Sequence, residues 1–238
     1  YYSNISGPNE LFKHCVHSTT TTISQDADLI FLAIKPQQLT SIVPLLTSIN
    51  SQKNQCVVSL LAGVSLASLQ HILPQCIHIS RVMPNVAAEY QESMTVYSAI
   101  PTLSTNYETF ITHFFEELGA ISKIEEKQMD AATAMFGSGP AFFYSIIEYC
   151  QTFLKANGFS AAESRHMLNQ LLQGVAKSLT QKNSTDLNLL IKEITSPNGT
   201  TQAGLTYLNQ SSLSHEWINV LDAARNRSKE LSNKIKYE

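Results

Sequence analysis

The chain has 238 residues, of which 43% are hydrophobic, and its formal net charge at pH 7 is -3. This length can bury a core in one large domain or in two modest ones. The weakly acidic balance disfavours nucleic acid and anionic membrane surfaces as partners, and the apolar runs are too short to span a bilayer. Because no charged and apolar leader opens the sequence, it predicts a cytoplasmic protein.

The four cysteines are widely scattered and form no CxxC pair, so neither a zinc site nor a disulfide framework is expected. The seven histidines are equally dispersed, and none lies beside a serine or cysteine in a nucleophile setting. The sequence therefore predicts no metal site and no covalent catalysis.

The first half of the chain alternates between short apolar runs that end in turn-forming residues and segments of helical periodicity. Predicted strands cover residues 28–36, 55–63, 76–84 and 94–99, and predicted helices cover residues 38–49, 66–73 and 106–118. Alternating strands and helices predict a parallel, doubly wound α/β sheet.

Turn residues follow three of these predicted strands. They are Lys35-Pro36, Ala62-Gly63 and Met83-Pro84-Asn85. The carboxyl ends of parallel strands meet at one edge of a sheet, where ligands bind. Two interpretations stay open: a cofactor-binding edge, or ordinary turns that end the strands.

From about residue 126 the pattern becomes helical, with apolar residues recurring every three and four positions. The predicted helices cover residues 129–156, 161–181, 187–194, 201–209 and 215–236. The segment 142–154 is apolar enough for burial on more than one side, which favours packing against a second subunit. Packing within a monomer is the alternative.

Two short runs punctuate this helical half. Gly137-Ser138-Gly139-Pro140-Ala141 places helix-disfavouring residues inside a helical pattern, which indicates a close backbone contact. In Thr195-Ser196-Pro197-Asn198-Gly199-Thr200-Thr201, Pro197 can end one helix while the two threonines open the next. Free N–H groups at such a helix start attract a carboxylate. An ordinary capped turn is the alternative interpretation.

These two runs, together with Glu126-Lys127-Gln128-Met129-Asp130-Ala131, Phe31-Leu32-Ala33-Ile34-Lys35-Pro36 and Arg81-Val82-Met83-Pro84-Asn85, resemble the pyrroline-5-carboxylate reductase family in order and spacing. The resemblance extends from about Asp28 to Leu231. The run from Thr195 to Thr201 is its most specific element.

The resemblance implies a Rossmann-type dinucleotide-binding domain over residues 1–125 and an all-helical substrate-binding and dimerisation domain over residues 126–238. No G-x-G-x-x-G occurs, and Gly7 is the only glycine before Gly63. We therefore expect the Rossmann-type sheet to be N-terminally incomplete, without the first strand and the glycine-rich turn that binds pyrophosphate.

The implied activity is reduction of 1-pyrroline-5-carboxylate to L-proline by NAD(P)H, the last step of proline biosynthesis, in a homodimer or higher homo-oligomer. By resemblance, backbone N–H groups of Gly199, Thr200 and Thr201 bind the substrate carboxylate. The Thr201 hydroxyl reaches the ring nitrogen, Ser196 shapes the loop, and Glu126 lies near substrate and cofactor.

By the same resemblance a second set of residues contacts the cofactor: Ala33, Ile34, Lys35, Pro36, Leu61, Ala62, Gly63, Asn85 and Glu193. Ser3 and Asn4 would lie at the ribose, and because neither is acidic we expect NADPH to be preferred over NADH. The alternative functions are a non-catalytic oligomeric protein that binds small carboxylates and lacks the phosphate cradle, or a different doubly wound dehydrogenase.

Overall fold

The computed structural model describes residues 27–46 and 54–235, which form two compact units. The first, here called the N-terminal unit, contains the described residues up to Ser138 and those from Leu221 onward. The second, the helical unit, is Gly139–Val220. The compact units are divided at positions other than the boundary expected from the sequence. The domains 1–125 and 126–238 stay a prediction.

The N-terminal unit is built on a five-stranded sheet with strand order β1-β2-β3-β4-β5. The strands are β1 Leu29–Leu32, β2 Cys56–Ser59, β3 His78–Met83, β4 Ser93–Ala99 and β5 Gly119–Lys123. The strands β1, β2 and β3 are mutually parallel, as predicted, and lie within the three predicted apolar runs.

The direction of β4 corrects the prediction of a fully parallel sheet. It runs antiparallel to β3, with Val82 opposite Tyr97, and β5 then runs parallel to β4. The connection from β3 to β4, residues 84–92, is too short for a parallel crossover, which takes a dozen or more residues. The sheet is therefore mixed, although most strand pairs are parallel.

Helices cover both faces of this sheet. They are α1 Leu39–Leu46, α2 Leu66–Ile72 and α3 Thr105–Glu116. On one face Val57 of β2 joins a core with residues of α1 and α2, and on the other its neighbours Cys56 and Val58 pack with Ile111 and Phe115 of α3. The doubly wound prediction is confirmed.

The predicted helix over residues 129–156 is divided. It begins as α4 Met129–Ala132, widens into a π-helical turn at Thr133–Gly137, and continues as α5 Gly139–Ala156. Pro140 thus lies in the first turn of α5, where the missing N–H of proline has no helical partner to lose. Next to it, Gly137 lies against Met83: a Cβ atom there would be 3.4 Å from the Met83 sulfur.

The remaining helices agree closely with the predicted ranges. They are α6 Ala161–Gln181, α7 Leu187–Glu193, α8 Thr200–Gln210 and α9 Leu213–Ile235. Helix α9 begins in the helical unit and its second half belongs to the N-terminal unit. No described helix is long and apolar enough to cross a bilayer.

Candidate functional site

The carboxyl ends of β1, β2 and β3 lie at one edge of the sheet because these strands are parallel. After β1, Ala33 and Lys35 are exposed and Ile34 and Pro36 are half-buried. Small Ala33 allows close approach to this edge, and the exposed Lys35 ammonium is suited to an anionic group. The predicted cofactor residues of this segment are thus accessible.

The turn between β2 and α2, residues 60–65, shows a different pattern. Leu61 is only 1% exposed and belongs to the hydrophobic core, so only its backbone can contact a ligand. Gly63 is buried with a left-handed φ of +72°, a conformation that favours glycine. Ala62 is half-buried. Of these three predicted cofactor residues, Leu61 offers no side chain to a ligand.

After β3, Asn85 caps a short 3-10 helix at Val86–Tyr90. Its side-chain oxygen accepts a hydrogen bond from the Ala87 N–H at 2.9 Å, and its own N–H donates to the Ser93 hydroxyl at 3.1 Å. The turn function that the sequence left open for Asn85 is therefore present. Its approach to the nicotinamide stays a prediction.

Glu126 lies at the start of a 3-10 turn, Glu126–Gln128, and its carboxylate makes two contacts through one oxygen. Oε1 accepts a hydrogen bond from Arg81 Nη1 at 2.7 Å and from the Leu66 N–H at 2.9 Å. Leu66 is the first residue of α2, where the helix N–H groups have no helical partner. The catalytic role predicted for Glu126 stays a prediction, and its carboxylate serves an intramolecular contact here.

Sequence reasoning missed Arg81 as a functional residue. Its side chain is 4% exposed, although it carries a charge in a buried strand. The charge in an otherwise apolar run, 45 residues before Glu126, was the available signal. Two buried atoms of this pair, Arg81 Nη2 and Glu126 Oε2, have no hydrogen-bond partner within the part of the chain that the structure describes.

In the helical unit, the loop between α7 and α8 contains the predicted carboxylate site. The N–H of Gly199 donates to the Ser196 carbonyl at 3.1 Å, so Gly199 does not present a free N–H group, contrary to the prediction. A Cβ atom at position 199 would also collide with the Ser196 hydroxyl. Asn198 has φ of +56°, a left-handed conformation that asparagine tolerates, and donates its N–H to Gln202 Oε1 at 2.6 Å.

Thr200 and Thr201 form the first turn of α8, as predicted. Their N–H groups and hydroxyls make no hydrogen bond to another described residue, and no side chain caps the helix. Thr200 is exposed and Thr201 is half-buried. An uncapped helix start with two free hydroxyls is suited to an anion, because the helix dipole adds to the hydrogen-bond donors.

Three predicted site residues remain: Glu193, Ser3 and Asn4. Glu193 ends α7 and forms an exposed ion pair with Lys182. Ser3 and Asn4 lie outside the described residues. No cluster of three or more metal-ligating side chains occurs within residues 27–46 and 54–235.

Comparisons with known proteins match both units. Residues 126–231 match a family model described as pyrroline-5-carboxylate reductase dimerisation, and residues 7–63 match one described as NADP oxidoreductase, coenzyme F420-dependent. Pyrroline-5-carboxylate reductase 2 of Bacillus subtilis is 32% identical over 231 residues, covering 95% of this chain and 76% of the relative. The reductase of Pasteurella multocida is 31% identical over 240 residues, with coverages of 95% and 86%.

Solved structures of pyrroline-5-carboxylate reductases are similar to this chain as well. The pyrroline carboxylate reductase of Plasmodium falciparum, crystallised with NADP bound, superposes with a TM-score of 0.80 at 26% identity, over 91% of this chain and 81% of that one. The pyrroline-5-carboxylate reductase of Coxiella burnetii superposes with a TM-score of 0.81 at 27% identity, over 90% of this chain and 80% of that one.

The Rossmann-type sheet with its strand-end edge, followed by a helical region, defines a dinucleotide-dependent oxidoreductase. Within that class the extent of identity to the relatives decides the assignment. The chain belongs to the pyrroline-5-carboxylate reductase family. The resemblance and the fold class expected from the sequence are confirmed, and the non-catalytic alternative is not favoured.

Proposed function

We propose that this protein reduces 1-pyrroline-5-carboxylate to L-proline with NAD(P)H, as the last step of proline biosynthesis. Family membership supports the reaction. The single observation on this chain that supports it best is the uncapped start of α8, where the N–H groups and hydroxyls of Thr200 and Thr201 bond to none of the described residues.

The substrate carboxylate would bind at that helix start. The N–H groups of Thr200 and Thr201 donate to its oxygens, and Ser196 and Gly199 hold the loop that leads into the helix. The Thr201 hydroxyl then donates to the ring nitrogen, which orients the C=N bond and helps to protonate it. This role needs no strong nucleophile, in line with the sequence.

The residues at the strand-end edge fit a nicotinamide dinucleotide. Exposed Lys35 provides a cation for phosphate, small Ala33 permits close approach, and the left-handed Gly63 keeps the neighbouring turn compact. When bound, the reduced nicotinamide supplies the hydride that the imine carbon accepts. Pro36, Ile34, Ala62 and the backbone of Leu61 complete this edge, and NADPH is the preferred form.

The protein acts as a homodimer or higher homo-oligomer. The family model over residues 126–231 supports self-association, and the helical unit exposes many large apolar side chains. On α5 and α6 these are Phe143, Tyr144, Tyr149, Phe153, Met167, Leu171, Leu172, Val175 and Leu179. Such an area is too apolar for a free surface. A cytoplasmic location fits the free thiols of Cys56, Cys76 and Cys150.

A steady-state assay of the full-length protein tests the proposal. Purified protein is mixed with 1-pyrroline-5-carboxylate and either NADPH or NADH, and L-proline formation is followed together with nicotinamide oxidation. Stoichiometric proline formation, with a higher kcat/KM for NADPH, is the expected result. If the protein binds proline but oxidises neither cofactor, the non-catalytic alternative is correct.

A further inference from the structure

One carboxylate oxygen joins three elements of the N-terminal unit. Glu126 Oε1 accepts from Arg81 Nη1 at 2.7 Å and from the Leu66 N–H at 2.9 Å. Arg81 belongs to β3, in register with Ser59 at the end of β2, and Leu66 is the first residue of α2. The oxygen thus connects the end of β3 to the start of α2.

The contact with Leu66 fixes one end of the β2–α2 turn, residues 60–65. The other end is fixed by Leu61, which is buried in the core, and by the Leu60 N–H, which donates to the Leu32 carbonyl at 3.1 Å. Between these ends lie Ala62 and Gly63 of the proposed cofactor edge. The position of this turn relative to β3 therefore depends on Glu126 and, through it, on Arg81.

The Arg81 side of the pair is closed to a ligand, and the Glu126 side chain is 33% exposed. Arg81 is 4% exposed, and both Arg81 Nη2 and Glu126 Oε2 are buried with no hydrogen-bond partner among the described residues. Of the two Glu126 oxygens, Oε1 already accepts from Arg81 and Leu66, and Oε2 is buried. The pair therefore acts on its surroundings through the Leu66 N–H and the backbone that this contact holds.

We propose that Arg81 and Glu126 are positioning residues that set the β2–α2 turn for the nicotinamide cofactor. Glu126 then acts through the Leu66 N–H, and it takes no part in proton transfer to the substrate. The inference rests on the proposed function, because it concerns how the same edge binds NADPH.

Three variants of the full-length protein test this. Glu126→Gln keeps an oxygen for the Leu66 N–H but removes the charge that pairs with Arg81. The double variant Arg81→Met/Glu126→Gln removes both charges of the pair, so that no uncompensated buried Arg81 charge opposes folding. Glu125→Gln is the matched control, since the carboxylate of this exposed neighbour forms an ion pair with Lys127. Each is measured for NADPH Kd by fluorescence titration, for kcat and both KM values, and for Tm.

We expect Glu126→Gln to raise the NADPH Kd about tenfold, while kcat at saturating NADPH stays within about threefold and its pH profile is unchanged. The double variant recovers Tm but keeps the weakened NADPH binding, because the ion pair that connects residue 126 to β3 is still missing. Glu125→Gln behaves as the wild type.

Two results would overturn the inference. A fall in kcat of more than about a hundredfold with unchanged NADPH Kd would place Glu126 in the chemistry. A lower Tm with unchanged NADPH Kd in both variants would make the pair purely structural. Because the titration needs no turnover, a wild-type protein that binds NADPH without reducing the imine would refute the proposed function and leave this inference testable.

Discussion

Gly63 lies directly against Leu231. A Cβ atom added at Gly63 would approach the Leu231 Cβ to 2.7 Å and the Ser228 carbonyl oxygen to 2.8 Å. The second half of α9 thus packs on the β2–α2 turn, and the Ser228 hydroxyl donates to Asp130 Oδ1 at 2.7 Å to hold the helix there. Position 63 therefore requires glycine for two reasons, its positive φ and this close helix.

Gly63→Ala is expected to destabilise the protein by about 2 to 4 kcal/mol, because backbone strain and a steric collision add. The free energy of unfolding in urea measures the loss. Gly158→Ala is the matched control: Gly158 also has a positive φ of +92°, but nothing lies within 4 Å of its added Cβ, so only strain of about 1 kcal/mol remains. Equal losses in the two variants would contradict the packing of α9 on the turn.

Thr201→Ala is expected to lower kcat by about 10- to 1000-fold, the scale of one hydrogen bond made in the transition state. Thr201→Ser retains the hydroxyl and should keep most of the activity. The control is Thr206→Ala on the same helix, whose hydroxyl donates to the Gln202 carbonyl at 2.9 Å. Wild-type kinetics of Thr201→Ala would refute the role of this hydroxyl, provided that circular dichroism shows an intact fold.

Glu108 provides a prediction about pH. Lys123, whose ammonium lies 2.5 Å from the carboxylate, and then the Tyr97 hydroxyl hold the pKa of Glu108 below its usual value. A lowered pKa stabilises the folded protein above the pKa of the unfolded chain, and that stability is lost as pH falls through the folded value. Lys123→Met should therefore reduce stability at pH 7 by about 0.5 kcal/mol and weaken the acid dependence.

Chemical denaturation between pH 3 and pH 7 measures this effect. Lys127→Met serves as the control, because it removes the same charge from an exposed pair with Glu125. If both variants show the same loss and the same pH dependence, net charge and not the Glu108 contact is responsible.

If the exposed apolar side chains of α6 form the subunit interface, a charge introduced among them should separate the subunits. Leu171 is 60% exposed in the single chain, and Leu171→Glu should convert the oligomer to smaller species in sedimentation analysis. Gln173→Glu adds the same charge two residues away, about 200° around the helix, and should leave the assembly intact. An unchanged sedimentation coefficient for Leu171→Glu would place the interface elsewhere.

Apolar runs sufficed to predict the parallel strands, since β2 is buried on both faces and alternation is absent there. The strand β5 was not predicted, because its sequence Gly-Ala-Ile-Ser-Lys is short and half exposed at the edge of the described sheet. Helix bounds such as those of α6 followed from periodicity. The structure adds that the Ser160 hydroxyl caps this helix by accepting a hydrogen bond from the Glu163 N–H.

At the site, a helix start at Thr200 could be predicted from local punctuation, but the use of the Gly199 N–H in a turn with Ser196 could not. Residue type does not reveal whether a backbone donor is already occupied. The pairing of Arg81 with Glu126 was equally invisible, because 45 residues separate them and one sequence carries no record of contacts in space.

The returning half of α9 has a consequence for the synthesis of the protein. Residues 221–235 complete a unit whose other described residues end at Ser138. A ribosome must translate the whole intervening helical unit before Leu231 can reach Gly63. The nascent chain therefore carries an unfinished nucleotide-binding fold until residues 221–235 emerge.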